Sequence, residues 1–425
     1  MTHHLPALRM ADVVADLLAD PATAPMGPHA GVSYRQHLAY GPTGIALLHI
    51  ERAVAGQGSW QRAHDWLAAA TRQPFTGGSG SHPFYGAPAL AHALACAADS
   101  LPGTYKRARE AVDQQMTADV RRRLEAAHRR IDAECLPELA EFDTIRGLAG
   151  YGAHFLRRHP TGRDIRAVLD YCVRLTEPTA QDGEALPGWW TPTGPSSRPD
   201  DRFPGGHANN GMAHGIGGVL ALLALAARRG TTVGGHHKAL RTILAWLDRW
   251  QEDTGNGPCR PYWITLGELR TGRLAPSAPR RPSWCYGTAG LARAQQLAAL
   301  VLGDTTRQIE AENALVAALN DPAQLEATTD KGLCHGFAGL AHVAARTADD
   351  AHPSTAGRLR TAITALLAKV CPPGTDPADG ATAIVHDGAA GPGLLDGAAG
   401  IALALLSPGT AASPRSAWDA CLLIA

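Results

Sequence analysis

A short glycine motif recurs seven times along this 425-residue chain, and it limits the possible folds more than any other feature. Each copy is a glycine, two residues, then a second glycine or an alanine, and each opens a run of small and apolar residues. The first glycines are Gly41, Gly86, Gly147, Gly215, Gly287, Gly336 and Gly397. The steps between them are 45, 61, 68, 72, 49 and 61 residues, so a constant unit is joined by connections of variable length. Internal recurrence of this kind marks a repeat architecture.

The run after each motif predicts a helix that is apolar nearly all round, as in Gly217 to Ala226, and a helix of that composition is buried. A different helix precedes each motif. These seven are predicted over about 5–19, 58–72, 105–138, 163–176, 236–252, 304–320 and 354–370, with apolar residues at helical spacing and charges opposite. Asp164, Asp304 and Thr355 are the expected N-cap residues at three of their starts. An open solenoid would keep a polar face on its second helix and would need capping ends. A closed ring, with apolar helices inside and amphipathic helices outside, explains the asymmetry. The expected fold is an all-α (α/α)7 toroid with minor β content in its loops, filling residues 1–425 as one domain. Pro261 to Leu266 reads as a strand within the longest gap, and Gly183 to Asn210 reads as a polar loop. Both loops are expected to wall one mouth of the ring. Trp189 and Trp190 in the second loop either grip a peptide or anchor the loop by packing.

Composition removes other classes. Lys plus Arg and Asp plus Glu are each 39, so the formal charge is zero, which argues against nucleic acid and against electrostatic docking on anionic lipid. Apolar residues are 45% of the chain, too many for disorder. The stretch from Met1 to Val14 lacks a basic segment followed by an apolar one, so no signal peptide is expected. The longest apolar run, about Ile216 to Ala227, is too short to span a bilayer. Eight scattered cysteines do not resemble a secreted disulfide scaffold, and the expected location is the cytoplasm.

If the seven motifs are equivalent, residues at one motif position converge on one end of the barrel. The residue before the first glycine is Tyr40, Tyr85, Arg146, His214, Tyr286, His335 and Asp396. All are polar at the mouths of apolar helices, which implies a wet site or a polar network. One position earlier stand Cys285 and Cys334 in consecutive repeats. With His335 they make a Cys2His set, the three-ligand arrangement of a catalytic zinc. A pair of inert core thiols and a disulfide are the other readings of the two cysteines. Cys96, Cys135, Cys172, Cys259, Cys371 and Cys421 have no such constellation and read as ordinary thiols.

Three segments carry a family resemblance. Ser283-Trp-Cys-Tyr-Gly287, Gly332-Leu-Cys-His-Gly336 and Asn210-Gly-Met-Ala-His-Gly-Ile-Gly-Gly218 resemble the signature motifs of the lanthionine synthetase C-like family, and the likeness extends to all seven glycine motifs. The resemblance implies an α/α toroid holding Zn2+ on Cys285, Cys334 and His335. It implies a lanthipeptide cyclase that adds precursor-peptide cysteine thiols to dehydroalanine or dehydrobutyrine, closing (methyl)lanthionine thioether rings. His214 matches the family's acid/base histidine, Asp143 its active-site aspartate, and Arg281 and Tyr286 further active-site positions. Implied partners are a dehydrated precursor peptide, leader plus core, and a dehydratase and transporter in a biosynthetic complex that would supply any peripheral membrane association. The segment between the second and third motifs reads as a charged helix (Val120 to Glu138), without the small extra domain that some members insert.

The chemistry agrees with these residue types. Only a thiolate attacks, and zinc coordination deprotonates a thiol. A histidine titrates near neutral pH and can deliver the proton that the α-carbon needs. Arg281 could stabilise the enolate, and Asp143 could orient His214. Two other readings stay open: a thiol transferase that adds glutathione to dehydrated residues, and a non-catalytic peptide-binding toroid. A glycosidase would need a second inward carboxylate that the motifs do not offer, and a terpenoid cyclase more than 5% aromatics.

Overall fold

The structure is a computed structural model that describes residues 5–25, 27–28, 31–181, 183–253, 257–276, 280–410 and 412–425. Residues 1–4, where the reading of the N-terminus begins, lie outside the described residues.

Every motif is followed at once by a helix. Counting along the chain, α1 (Leu5–Leu17) precedes α2 (Pro42–Val54), and α3 (Trp60–Ala70) precedes α4 (Ala87–Ala98). The long α5 (Lys106–Asp132) and one-turn α6 (Leu139–Phe142) precede α7 (Leu148–Arg158), and α8 (Arg163–Leu175) precedes α9 (Ile216–Arg228). Then come α10 (His236–Arg249), α11 (Leu266–Thr271), α12 (Thr288–Leu302), α13 (Thr305–Ala318) and α14 (Pro322–Glu326). The chain continues through α15 (Phe337–Asp349), α16 (Pro353–Val370), α17 (Pro377–Val385) and α18 (Ala398–Thr410). The seven motif helices are α2, α4, α7, α9, α12, α15 and α18. Most of their residues are buried, and in α4 and α2 nearly every position is.

The second glycine of the motif is fixed by a close approach. In α2, α9, α12, α15 and α18 a Cβ on Gly44, Gly218, Gly290, Gly339 or Gly400 would meet the carbonyl oxygen three residues before the first glycine. These are the carbonyls of Leu38, Met212, Trp284, Leu333 and Leu394. The second repeat enters its helix differently, with Gly86 at φ 76°, and there the fourth position is Ala89.

Two compact units make up the chain: Met1–Met116 with Thr328–Asp419, and Thr117–Ala327 with Ala420–Ala425. In the first unit the motif helices lie side by side in the order α4, α2, α18, α15. The last motif helix thus packs beside the first. Outer helices α3 and α16 pack on α2 and α15, and α1 packs on α18 and α17. In this unit α2 and α15 are therefore each covered by the outer helix that follows them, and α1 covers α18. Buried ion pairs fasten the end of this unit. Asp419 accepts from Arg346 Nε and Nη2 at 2.7 and 2.9 Å and lies 2.8 Å from His342 Nε2. Glu51 accepts from the backbone amides of Arg415 and Ser416, each at 2.8 Å.

In the second unit α9 lies between α7 and α12, with α8 on α7 and α13 on α12. Among the described residues there are also seven short strands. β1 (Thr179–Gln181) pairs with β2 (Glu184–Leu186), and β3 (Trp190–Thr191), β4 (His207–Asn209) and β7 (Trp263–Thr265) form one antiparallel sheet in the order β3-β4-β7. β5 (Glu252–Asp253) pairs with β6 (Pro258–Cys259).

Several local expectations change. The strand expected over Pro261 to Leu266 is three residues long, because the capping box of Thr265 and Glu268 starts α11. The polar loop Gly183 to Asn210 contains β2, β3 and β4, strands of two of the three sheets among the described residues. Asp304 caps α13 as expected, accepting from the Arg307 amide at 3.0 Å. Thr355 does not cap: Pro353 takes the first helical position and His352 becomes the cap of α16. Gly162, not Asp164, caps α8. The charged helix ends at Asp132, with Glu134 in the left-handed region at φ 54°.

Candidate functional site

A belt of backbone hydrogen bonds sets the motif loops in register within each unit. In the second unit Thr144 N donates to Ala213 O, and Ala213 N donates to Cys285 O, both at 3.1 Å. In the first unit Leu38 N donates to Phe84 O at 2.8 Å, Leu395 N to Ala39 O at 2.9 Å and Cys334 N to Leu395 O at 2.7 Å. Each bond has on at least one side the residue two before a first glycine, the position that carries Cys285 and Cys334, while Thr144 and Leu38 stand three before. Their side chains are placed by a backbone ladder that does not depend on side-chain identity.

The residue before the first glycine behaves as the motif pattern predicts. Tyr40, Tyr85, His214, Tyr286, His335 and Asp396 are half-buried and Arg146 is exposed, so none is sealed in the core.

In the second unit Asp143 and His214 form a pair. Asp143 has a side chain only 1% exposed and divides its two oxygens. Oδ1 accepts the amides of Arg146 at 2.5 Å and Gly147 at 2.8 Å, holding the start of α7. Oδ2 lies 2.6 Å from His214 Nδ1. A carboxylate there makes Nδ1 the donor and leaves Nε2 as the nitrogen that can face a reactant. The His214 ring lies 6.2 Å from that of Tyr286. Tyr286 in turn has its hydroxyl 3.5 Å from Asn209 Nδ2 and its ring 5.5 Å from that of Tyr262. Tyr262 donates to the Arg281 carbonyl at 2.8 Å, and burial pushes its phenol well up. Cys285 is 5% exposed, with Sγ 3.4 Å from Ser283 Oγ.

In the first unit Cys334 and His335 are half-buried. The His335 ring stands between two carboxylates, with Nε2 3.4 Å from Asp330 Oδ2 and Nδ1 3.5 Å from Asp396 Oδ1. All eight cysteines are free, which removes the disulfide reading of Cys285 and Cys334. By donor chemistry, two thiols and an imidazole from Cys285, Cys334 and His335 are a set that could hold a metal ion.

Trp189 and Trp190 anchor their loop by packing. Both are buried, Trp189 edge-on against Trp246 and Trp190 donating from its indole to Gly205 O at 2.9 Å. Asn209, Tyr262, Ser283 and Asp330 were not expected from the sequence. Ser283 stands four residues before a first glycine as Asp143 does, and Asn209 and Asp330 each stand six before one.

Comparison with known proteins bears on the fold and the family. The structure of nisin cyclase matches 93% of this chain and 93% of its own, with a TM-score of 0.71 at 18% identity. That likeness gives the fold, an α/α toroid, as the glycine repeats predict. Residues 33–423 match the family described as lanthionine synthetase C-like protein, and the chain belongs to that family. Nisin biosynthesis protein NisC of Lactococcus lactis subsp. lactis is 22% identical over 206 residues. That match spans about half the length of each protein, 48% of this chain and 48% of the relative. Among the described residues no helix is long and apolar enough to cross a membrane.

Proposed function

We propose that this chain is a zinc-dependent lanthipeptide cyclase, and that its 425 residues act as one α/α toroid domain. The observation that carries the reading is the Cys-Cys-His donor set in a chain of the lanthionine synthetase C-like family. Cys285, Cys334 and His335 would hold the ion. Two thiolates and one imidazole suit Zn2+ and leave an open position, as in catalytic sites. When bound, the ion lowers the pKa of a substrate thiol so that it is a thiolate at neutral pH.

The rest is the work of side chains. The peptide sulfur adds to the β-carbon of dehydroalanine or dehydrobutyrine, forming the C–S bond. The π pair of the C=C bond moves toward the carbonyl as an enolate, which the Arg281 guanidinium is suited to stabilise. His214 delivers the proton to the α-carbon through Nε2, with Nδ1 held by Asp143. Tyr286 frames the histidine from the adjacent motif. The thiol proton lost and the α-carbon proton gained cancel, so no oxidant or reductant is needed. The substrate is a dehydrated precursor peptide, leader plus core, supplied by a dehydratase and passed to a transporter.

The test has two parts. Zinc per chain is measured in wild type and Cys285→Ala, with about one ion per chain expected in wild type and a large deficit in the variant. Each protein is then incubated with dehydrated precursor, and free peptide thiols are counted by alkylation and mass spectrometry. Loss of thiols without change of peptide mass marks ring closure. A glutathione-dependent mass gain would mark a thiol transferase instead. Full zinc loading with no loss of thiols would leave a peptide-binding toroid as the surviving reading.

A further inference from the structure

The carboxylates beside His335 carry one more step, which rests on the proposed metal role of that histidine. A neutral imidazole that binds a metal through one nitrogen donates from the other, and the partner of that second nitrogen fixes the tautomer and the ring orientation. Two carboxylates compete for the position. Asp396 comes from the seventh motif, 3.5 Å from Nδ1, with its side chain 47% exposed. Asp330 lies five residues before His335 in its own loop, 3.4 Å from Nε2 and 34% exposed.

Asp330 is the better held of the two. Its Oδ1 accepts the Gly332 amide at 2.9 Å, and a Cβ on Gly336 would run into that same oxygen. The carboxylate is thus clamped at the turn that presents Cys334 and His335, and Oδ2 alone is left for the imidazole. The same division of labour occurs in the second unit, where Asp143 spends Oδ1 on the amides of Arg146 and Gly147 and Oδ2 on His214 Nδ1. Both histidines at the position before a first glycine are therefore backed by an aspartate whose other oxygen is anchored to a motif loop.

We infer that Asp330 is a positioning residue for the metal centre: it accepts from His335 Nε2–H and so presents Nδ1 to the ion, while the contact with Asp396 yields. Such a partner acts on metal affinity as well as on catalysis, and its loss typically weakens binding by about 10- to 100-fold.

The experiment is zinc titration of the full chain by chelator competition, with wild type, Cys334→Ala, Asp330→Asn, Asp330→Glu and Asp396→Asn. Asp330→Asn keeps an oxygen for the Gly332 amide, and its metal-free melting curve reports whether the loop survives. Its zinc affinity is expected to fall about 10- to 100-fold, with Asp396→Asn within about threefold of wild type. Asp330→Glu retains the charge and should recover part of the loss. Should the Asn variant fail to fold, the Glu variant carries the test, and wild-type affinity there overturns the inference. Wild-type affinity in Asp330→Asn also overturns it, as does an equal or larger loss at Asp396→Asn. Zinc binding that Cys334→Ala abolishes but Asp330→Asn spares removes only this inference. Failure of the wild type to bind zinc removes the proposed function, and the inference with it.

Discussion

Asp143 is a residue with two duties, and they can be separated by one atom. Asp143→Asn keeps an oxygen for the Arg146 and Gly147 amides, so the start of α7 should hold. It gives up the charge that faces His214. Ring closure is expected to slow by about 100-fold, within the usual contribution of a general acid or base, while the melting temperature stays close to wild type. Single-turnover kinetics alongside thermal melting check this pair of outcomes. A second residue-scale prediction concerns His49 and His207, which burial pushes down to about 4. Unfolded, each titrates near 6.5, so between these values the unfolded chain binds protons that the folded chain refuses. Stability is then complete above about pH 6.5 and falls as the pH drops toward 4, by up to roughly 3 kcal/mol for each histidine. Urea unfolding at pH 7, 5.5 and 4.5 measures the slope, and His207→Gln should flatten it. At this scale the sequence exposed residues that share a motif position, which is why Cys285, Cys334, His214 and His335 stood out. Asp330 and Asn209 were hidden because their shared place, six residues before a first glycine, holds Arg35, Gly80, Glu141, Arg281 and Gly391 in the other repeats, so no residue type recurs there. The tryptophans left two readings open, a peptide grip and a packed anchor, and their burial decides for the anchor.

Helix starts were the most legible elements. A glycine that must lie against a carbonyl three residues before the motif leaves a mark in sequence whatever the loop length. Gly44→Ala and Gly339→Ala would each push a methyl into such a carbonyl, of Leu38 and Leu333. Each is expected to cost about 1–3 kcal/mol, as overpacking does, whereas Ala89→Gly in the second repeat should cost only the roughly 0.5–1 kcal/mol of a helical Ala-to-Gly change. Denaturant midpoints of the three variants compare them directly. The strands were less legible. β4 is three residues long and buried throughout, so it shows no alternation, and its partner β3 is only two residues long, which left β7 with the readable aromatic and β-branched signal. Helix ends depended on competition that composition does not resolve, as where Pro353 displaced Thr355 from the cap position.

For the whole molecule, the reading of amphipathic outer and apolar inner helices was sound, but the pairing of neighbours was offset by one. The sequence suggested that each outer helix belongs with the motif helix after it. In the fold α3 covers α2, α16 covers α15, and α1 covers α18. Hydrophobic periodicity says which face of a helix is buried and is silent about which neighbour buries it. Metal binding should be felt at this scale as well. Zinc that binds only the folded chain stabilises it by mass action, about 4 kcal/mol at a thousandfold excess over the dissociation constant. Chelation is therefore expected to lower the melting temperature of wild type by several degrees and to leave Cys334→Ala unchanged; calorimetry with and without chelator tests it.

The backbone belt has a consequence for how such a protein can change. Because amides and carbonyls, not side chains, tie one motif loop to the next, the residue before each first glycine is replaceable without altering the frame that carries it. Tyrosine, arginine, histidine and aspartate already occupy that place in this single chain. The rim is thus a set of interchangeable sockets, and new substrate preferences could be written there one socket at a time while the helices behind stay as they are.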